Sequence, residues 1–267
     1  MIHAITQLEK EALQKAKKIL ENPSFSMKIA NQIGKPIEFG LEKINSDKVN
    51  AITQKALQKS LDLAITSLKK ENKLSVSKGK HKLFTAISGG VGGAFGLPAL
   101  AIELPLSTTI MLRSIADIAE SEGHDLGKIE TQLACLEVFA LGSSKNSSDD
   151  GAESAYFSAR GAMAFEMKLA IDSIANMSSK AIQDSLAKGQ LPLLIKVINT
   201  IASRFGVTLS EKLVAQSIPI IGALGGASLN LMFMNHFQNM AEGHFIVKRL
   251  EKKYGLEEIQ RVYEGLL

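Results

Sequence analysis

The sequence contains a single cysteine, Cys135. That excludes an internal disulfide and any cysteine-rich zinc site, so packing alone must hold the fold together. Tryptophan is absent, only 5 % of residues are aromatic, and no run alternates apolar with polar residues as a half-buried strand would. A chain rich in alanine and leucine with these omissions is predicted to be all-helical. Excess charge of one sign is missing too. The formal net charge is +4 and the basic residues are scattered, which is too weak a bias to recruit nucleic acid, and no nucleic-acid partner is expected. The opening Met-Ile-His-Ala-Ile-Thr-Gln-Leu-Glu-Lys has no basic stretch followed by an apolar one. This argues against a secretory signal and for a cytoplasmic protein, with a peripheral membrane position as the alternative.

What is present reads as a succession of helices. Ile2, Ile5, Leu8, Ala12, Ala16 and Ile19 recur at helical spacing, which predicts an amphipathic helix over residues 1–20 that Asn22-Pro23 ends. Further helices are expected from Ser24 until Pro36 interrupts, over 47–70, up to about Gly96, then after a bend through Pro98 to Glu103 from a first turn containing Pro105 to about Gly123, and from an Asp125 cap to Gly142. A long pattern runs from Ala152 to about Leu186, and Pro192 opens another helix that Gly206 should end. Thr208 and Glu211 have capping-box spacing, predicting a fresh start near Leu209. A long helix to Tyr254 and a short amphipathic one over 256–266 close the chain. The polar stretch 143–151 reads as a loop inside one domain.

Two apolar segments stand out, 83–112 and 213–234, and both carry small residues four apart, as in Gly89/Gly93, Gly92/Gly96 and Gly222/Gly226. Such rows let helix backbones approach closely, and glycine in a helix interior costs about 1 kcal/mol relative to alanine, so its repeated use implies a compensating contact. That contact is either a tight helix pair in a core or a lipid or partner surface. Lys78, Lys80 and Lys82 flank the first segment, and Lys248, Arg249, Lys252 and Lys253 end the helix that continues the second. Basic residues beside apolar surface are drawn to anionic headgroups. Phosphate-loop and dinucleotide patterns are missing around these glycines, and no cofactor is expected.

Ionisable groups inside the apolar segments are the second candidate feature. Glu103 lies within such a run and needs a partner or a changed pKa. Arg113 and Asp117 are spaced for a surface ion pair. Together with His236 and His244, Glu103 and Asp117 are candidate catalytic residues for a hydrolase, with or without a metal, although no metal-binding spacing is present. Cys135 falls on the apolar stripe of its helix and reads as a buried structural thiol.

The stretches Gly-Leu-Pro-Ala-Leu-Ala-Ile-Glu-Leu-Pro (96–105), Thr-Thr-Ile-Met-Leu-Arg-Ser-Ile-Ala-Asp-Ile-Ala (108–119) and Gly-His-Asp (123–125) resemble the EcsC protein family. Ile-Pro-Ile-Ile-Gly-Ala-Leu-Gly-Gly-Ala (218–227), Asn-His-Phe-Gln (235–238), Ala-Glu-Gly-His-Phe (241–245) and Arg-Leu-Glu-Lys-Lys-Tyr-Gly (249–255) extend the resemblance. It runs from about residue 25 onward and singles out Glu103, Arg113, Asp117, His236, Glu242 and His244 without giving them roles. The family's namesake is encoded beside ABC transporter components, so the resemblance implies a bacterial protein with membrane-linked work.

The expected architecture is therefore all-α: an N-terminal amphipathic helix (1–24) and a single multi-helix domain (25–267) with the two glycine-rich segments at its centre. The first functional reading is a non-enzymatic, membrane-associating protein that meets an anionic membrane surface or a membrane protein. Gly89, Gly93, Gly96, Gly222, Gly226 and Lys78, Lys80 and Lys82 would form its contact. The hydrolase is the alternative, and a scaffold forming homo-oligomers through the same helices is a third reading.

Overall fold

The computed structural model describes residues 4–22, 28, 45–67, 96–141, 154–217 and 226–266. Among these residues the fold is all-α, with nine α-helices and no strand: α1 (Gln7–Leu20), α2 (Ser46–Ser67), α3 (Gly96–Ser121), α4 (Ile129–Glu137), α5 (Ala155–Ile174), α6 (Ser179–Ala187), α7 (Pro192–Ser217), α8 (Gly226–Tyr254) and α9 (Leu256–Glu264). Lys78, Lys80, Lys82, Gly89, Gly93 and Gly222 lie outside the described residues, whereas Gly96 and Gly226 are the first residues of α3 and α8.

α3 and α8, which continue the two glycine-rich segments, pack on each other, and α2 bridges α3 and α7. At the centre a single 3₁₀ turn after α4 brings in Phe139, which meets Phe205 of α7 and Phe237 of α8 at ring separations of 4.8 and 5.3 Å. Phe233 completes the group, stacked on Phe205 and edge-on to Phe237, and aromatic contacts of this kind add to the gain from burial. Cys135 is buried beside them and its thiol is pushed up to about 12 by that burial, as expected of an inert structural cysteine.

α1 begins with the capping box that its sequence spells. The Thr6 hydroxyl accepts from the Glu9 amide while the Glu9 carboxylate accepts from the Thr6 amide. Its apolar stripe, Leu13, Ala16 and Leu20, is buried and the helix packs along α8. The same Glu9 carboxylate receives Lys253 at 2.7 Å and the Tyr254 hydroxyl at 2.6 Å, tying the start of α1 to the end of α8. Close approach of the two helices depends on Gly243, where an added Cβ would stand 2.6 Å from Leu20 Cγ. Gly243→Ala is expected to destabilise the protein by about 1–2 kcal/mol despite alanine's better helix propensity, because buried Leu20 must shift. Combining it with Leu20→Ala should cost less than the sum of the two changes, a coupling that denaturant titration of the four proteins measures.

Several helix boundaries differ from the sequence expectation for identifiable reasons. α3 runs unbroken through Pro105. The carbonyl deprived of its donor by that proline belongs to Ala101, an exposed residue. Gly206 does not end a helix and Thr208 does not start one, since both lie inside α7. Here glycine serves a close approach instead: a Cβ at 206 would run into the Asn50 side chain of α2. The pattern over 152–186 is two helices, because Ser178 caps α6 by accepting from the Ala181 amide at 3.2 Å. Asp125 accepts from the Gly127 amide in a tight turn and leaves α4 without a side-chain cap.

Candidate functional site

α4 carries one buried carboxylate, Glu137, at the end of an apolar buried run, Leu133 to Leu136. Its side chain is 8 % exposed, and its neighbours are charged or polar groups from two other helices. From α5, Arg160 places Nε 3.9 Å from Glu137 Oε1 and lays its fork on Glu251 of α8, at 2.6 and 3.0 Å, a bidentate pair that is itself nearly buried. His244 of α8 is fully buried, with Nε2 3.5 Å from Glu137 Oε2 and Nδ1 2.9 Å from the Tyr156 hydroxyl of α5.

Donor rules set a direction through this network. A guanidinium can only donate, so Arg160 Nη1 gives a proton to Tyr156 Oη at 3.1 Å. The hydroxyl proton is then directed to His244 Nδ1. Burial first, then the charges of Lys248 and Arg160, hold the His244 pKa well below the ordinary histidine value, so the ring is neutral and its remaining proton sits on Nε2, facing Glu137. Burial likewise raises the Tyr156 pKa and keeps the phenol protonated. Neither Arg160 Nε nor His244 Nε2 reaches hydrogen-bond length. Among the described residues Glu137 therefore accepts no hydrogen bond, although two buried N–H groups point at it.

The free side of that carboxylate looks into a cleft of about 490 Å³. Glu137 and Glu251 form its depth, while Asp125, Lys128, Glu130 and Lys252 are exposed at its mouth and Lys248 is half-buried. Ala134, Met167, Ile171 and Leu256 supply apolar wall, and His124 stands at the edge with Nε2 3.1 Å from the Phe245 carbonyl. Two of the four basic residues at the end of α8 are paired at the surface, Arg249 with Glu122 at 3.0 Å and Lys253 with Glu9. The other two, Lys248 and Lys252, line the cleft.

The catalytic candidates read from sequence do not converge. Glu103 and Asp117 are 14 positions apart on α3, about 21 Å of helical rise, and His236 and His244 are separated by about 12 Å on α8 in the same way. Asp117 and Arg113 are both exposed one turn apart on α3. Glu103 is half-buried, and burial raises its pKa against the opposing charge of Lys212, the cation that acts on it. Lys212 is buried over the Phe233 ring, 4.7 Å from the centroid, and its pKa falls to about 8 through burial. Asn230 shares a cavity of about 20 Å³ with it, the size of one water molecule. His236 is buried near Lys28, and burial followed by that charge lowers its pKa to about 3. Glu242 pairs with Lys15 of α1. Among the described residues no group of three histidine, cysteine or acidic side chains is placed to hold a metal.

Sequence reasoning singled out His244, Lys248 and Lys252 but missed Glu137, Tyr156, Arg160 and Glu251. The signal was present. Glu137 and Arg160 are ionisable residues inside apolar helical runs, as Glu103 is.

An all-helical protein with a buried polar network opening on a charged cleft is the class that these features define. The family model for the EcsC protein family matches residues 3–250, and the chain belongs to that family. The match includes α1. No curated protein and no solved structure matches the chain.

Proposed function

We propose that this is a non-enzymatic, membrane-associating protein that engages lipid through the cleft at the end of α8. The observation that carries this reading is the composition of the cleft: Lys128, Lys248 and Lys252 stand beside Met167, Ile171 and Leu256. Ammonium groups next to an apolar wall match a phosphate headgroup with the first part of its glycerol and acyl region. A small soluble anion would leave the apolar wall in water.

Among the described residues one helix, Pro192–Ala215, is long and apolar enough to cross a bilayer, with a mean hydropathy of 1.3. More than half of it, 56 %, is buried in the fold, and a core helix of a folded protein has the same property. The support therefore comes from the cleft and not from a span.

Co-sedimentation with phosphatidylcholine vesicles, with and without phosphatidylglycerol, tests the proposal. Binding to at least one composition is expected, and replacing Lys128, Lys248 and Lys252 together by alanine should weaken it by roughly ten-fold or more, at ~1 kcal/mol per lysine near the surface. Absence of binding to every composition would overturn it.

A further inference from the structure

The charges around the cleft are matched one for one: Lys128, Lys248, Lys252 and the Arg160 behind its wall face Asp125, Glu130, Glu137 and Glu251. They are not mixed evenly with depth. Within the buried part, Arg160 is committed to Glu251 in a bidentate pair and stands 3.9 Å from Glu137, and His244 is neutral, so Glu137 has only a share of one cation beyond hydrogen-bond length. A buried carboxylate is stable only when paired or well hydrogen-bonded. Glu137 is 92 % buried, accepts no hydrogen bond among the described residues, and presents its carboxylate to the cleft. Lys128 and Lys252 stand at the exposed mouth.

A ligand with one net charge would satisfy only one of these levels. An anion would meet Glu137 and Glu251 at the bottom, and a simple cation would leave the lysines at the mouth without a partner.

We infer that the cleft takes a zwitterionic amino-phosphate group, its primary ammonium donating to Glu137 and its phosphate held by Lys128 and Lys252. The inference rests on the lipid reading of the cleft and sharpens it to one headgroup class. A primary ammonium supplies three N–H donors and fits a carboxylate that has open acceptor positions; a trimethylammonium supplies none. Arg160 and His244 act as positioning residues, holding Glu137 toward the cleft from behind.

The same chemistry can come from a phospholipid or from a free phosphomonoester, so two measurements on the full chain are needed. Vesicle co-sedimentation compares phosphatidylcholine with phosphatidylcholine containing phosphatidylethanolamine. Calorimetric titration compares O-phosphoethanolamine with glycerol 3-phosphate and phosphocholine. Wild-type protein is expected to favour the primary amine by about ten-fold or more, the worth of one charge-assisted hydrogen bond. Glu137→Gln should abolish the preference.

Preference for the amine in solution without any vesicle binding would uphold the site, assign it a soluble ligand and overturn the membrane reading. Vesicle binding without amine preference would leave the membrane reading standing and overturn this one. Both wild-type comparisons are decisive even if Glu137→Gln fails to fold.

Discussion

Arg160→Met is expected to lower stability by about 3–5 kcal/mol, because it removes the only guanidinium of a buried network and leaves its carboxylates behind. Methionine has similar length and packs well against Tyr156 and Phe157, whose rings Arg160 now overlies at 5.2 and 5.7 Å. Volume is thus nearly conserved, and the loss is electrostatic. Glu251 gives up both charge-assisted bonds, Tyr156 loses the donor that orients its hydroxyl, and Glu137 loses its nearest cation. In a chain of this size the midpoint of thermal unfolding should fall by roughly 10 °C. Arg160→Lys should recover only part of the loss, since one ammonium cannot reproduce the fork on Glu251. Urea titration of the three proteins checks this: a shift in midpoint at constant slope is the expected result. A change below 1 kcal/mol for Arg160→Met would show that the network contributes little to the folded state.

How much of this network could be read in advance follows from what amphipathic spacing reports. Periodicity placed α1, α2, α8 and α9 well, because each turns one stripe to the core and leaves the other face in water, as with Leu13, Ala16 and Leu20 of α1. Where a helix is enclosed on most sides the stripe vanishes and breakers dominate the reading. α7 was therefore expected to stop at Gly206, although the glycine exists to admit Asn50 of a neighbouring helix, a fact that only tertiary structure holds. A bend was expected through Pro98 to Glu103 for the same reason, where α3 runs unbroken on through Pro105. The site follows the same logic. Glu103 drew notice as a charge in a long apolar run, and the structure gives it a single opposing lysine, Lys212. Glu137 and Arg160 sit in shorter runs, 23 positions apart, and become a site only because α4, α5 and α8 meet. His244 alone was legible among the residues behind the cleft, and its tautomer depends on Tyr156, 88 positions away.

Acidification from pH 7 to pH 5 is expected to cost the protein about 2–4 kcal/mol, through the two buried histidines of α8. His236 has its folded pKa lowered to about 3, first by burial and then by Lys28, and His244 is lowered well below the ordinary 6.5 by burial and by Lys248, Arg160 and His124. Below pH 6.5 the unfolded chain binds protons that the folded chain refuses, so stability is complete above that value and is lost as pH falls toward the folded pKa. The slope is at most about 1.4 kcal/mol per pH unit for each histidine. Glu103 works in the opposite sense, because burial raises its pKa and the folded state takes up its proton first, which offsets part of the loss. Protonated His244 would face Glu137 at 3.5 Å but also the charges of Lys248 and Arg160, and protonated His236 would meet the charge of Lys28. His236→Gln and His244→Gln should therefore each flatten the decline between pH 6.5 and 5. Thermal unfolding of the three proteins across pH 7 to 5 measures both effects, and a wild-type midpoint that does not fall over that range would exclude buried neutral histidines as the source of acid sensitivity.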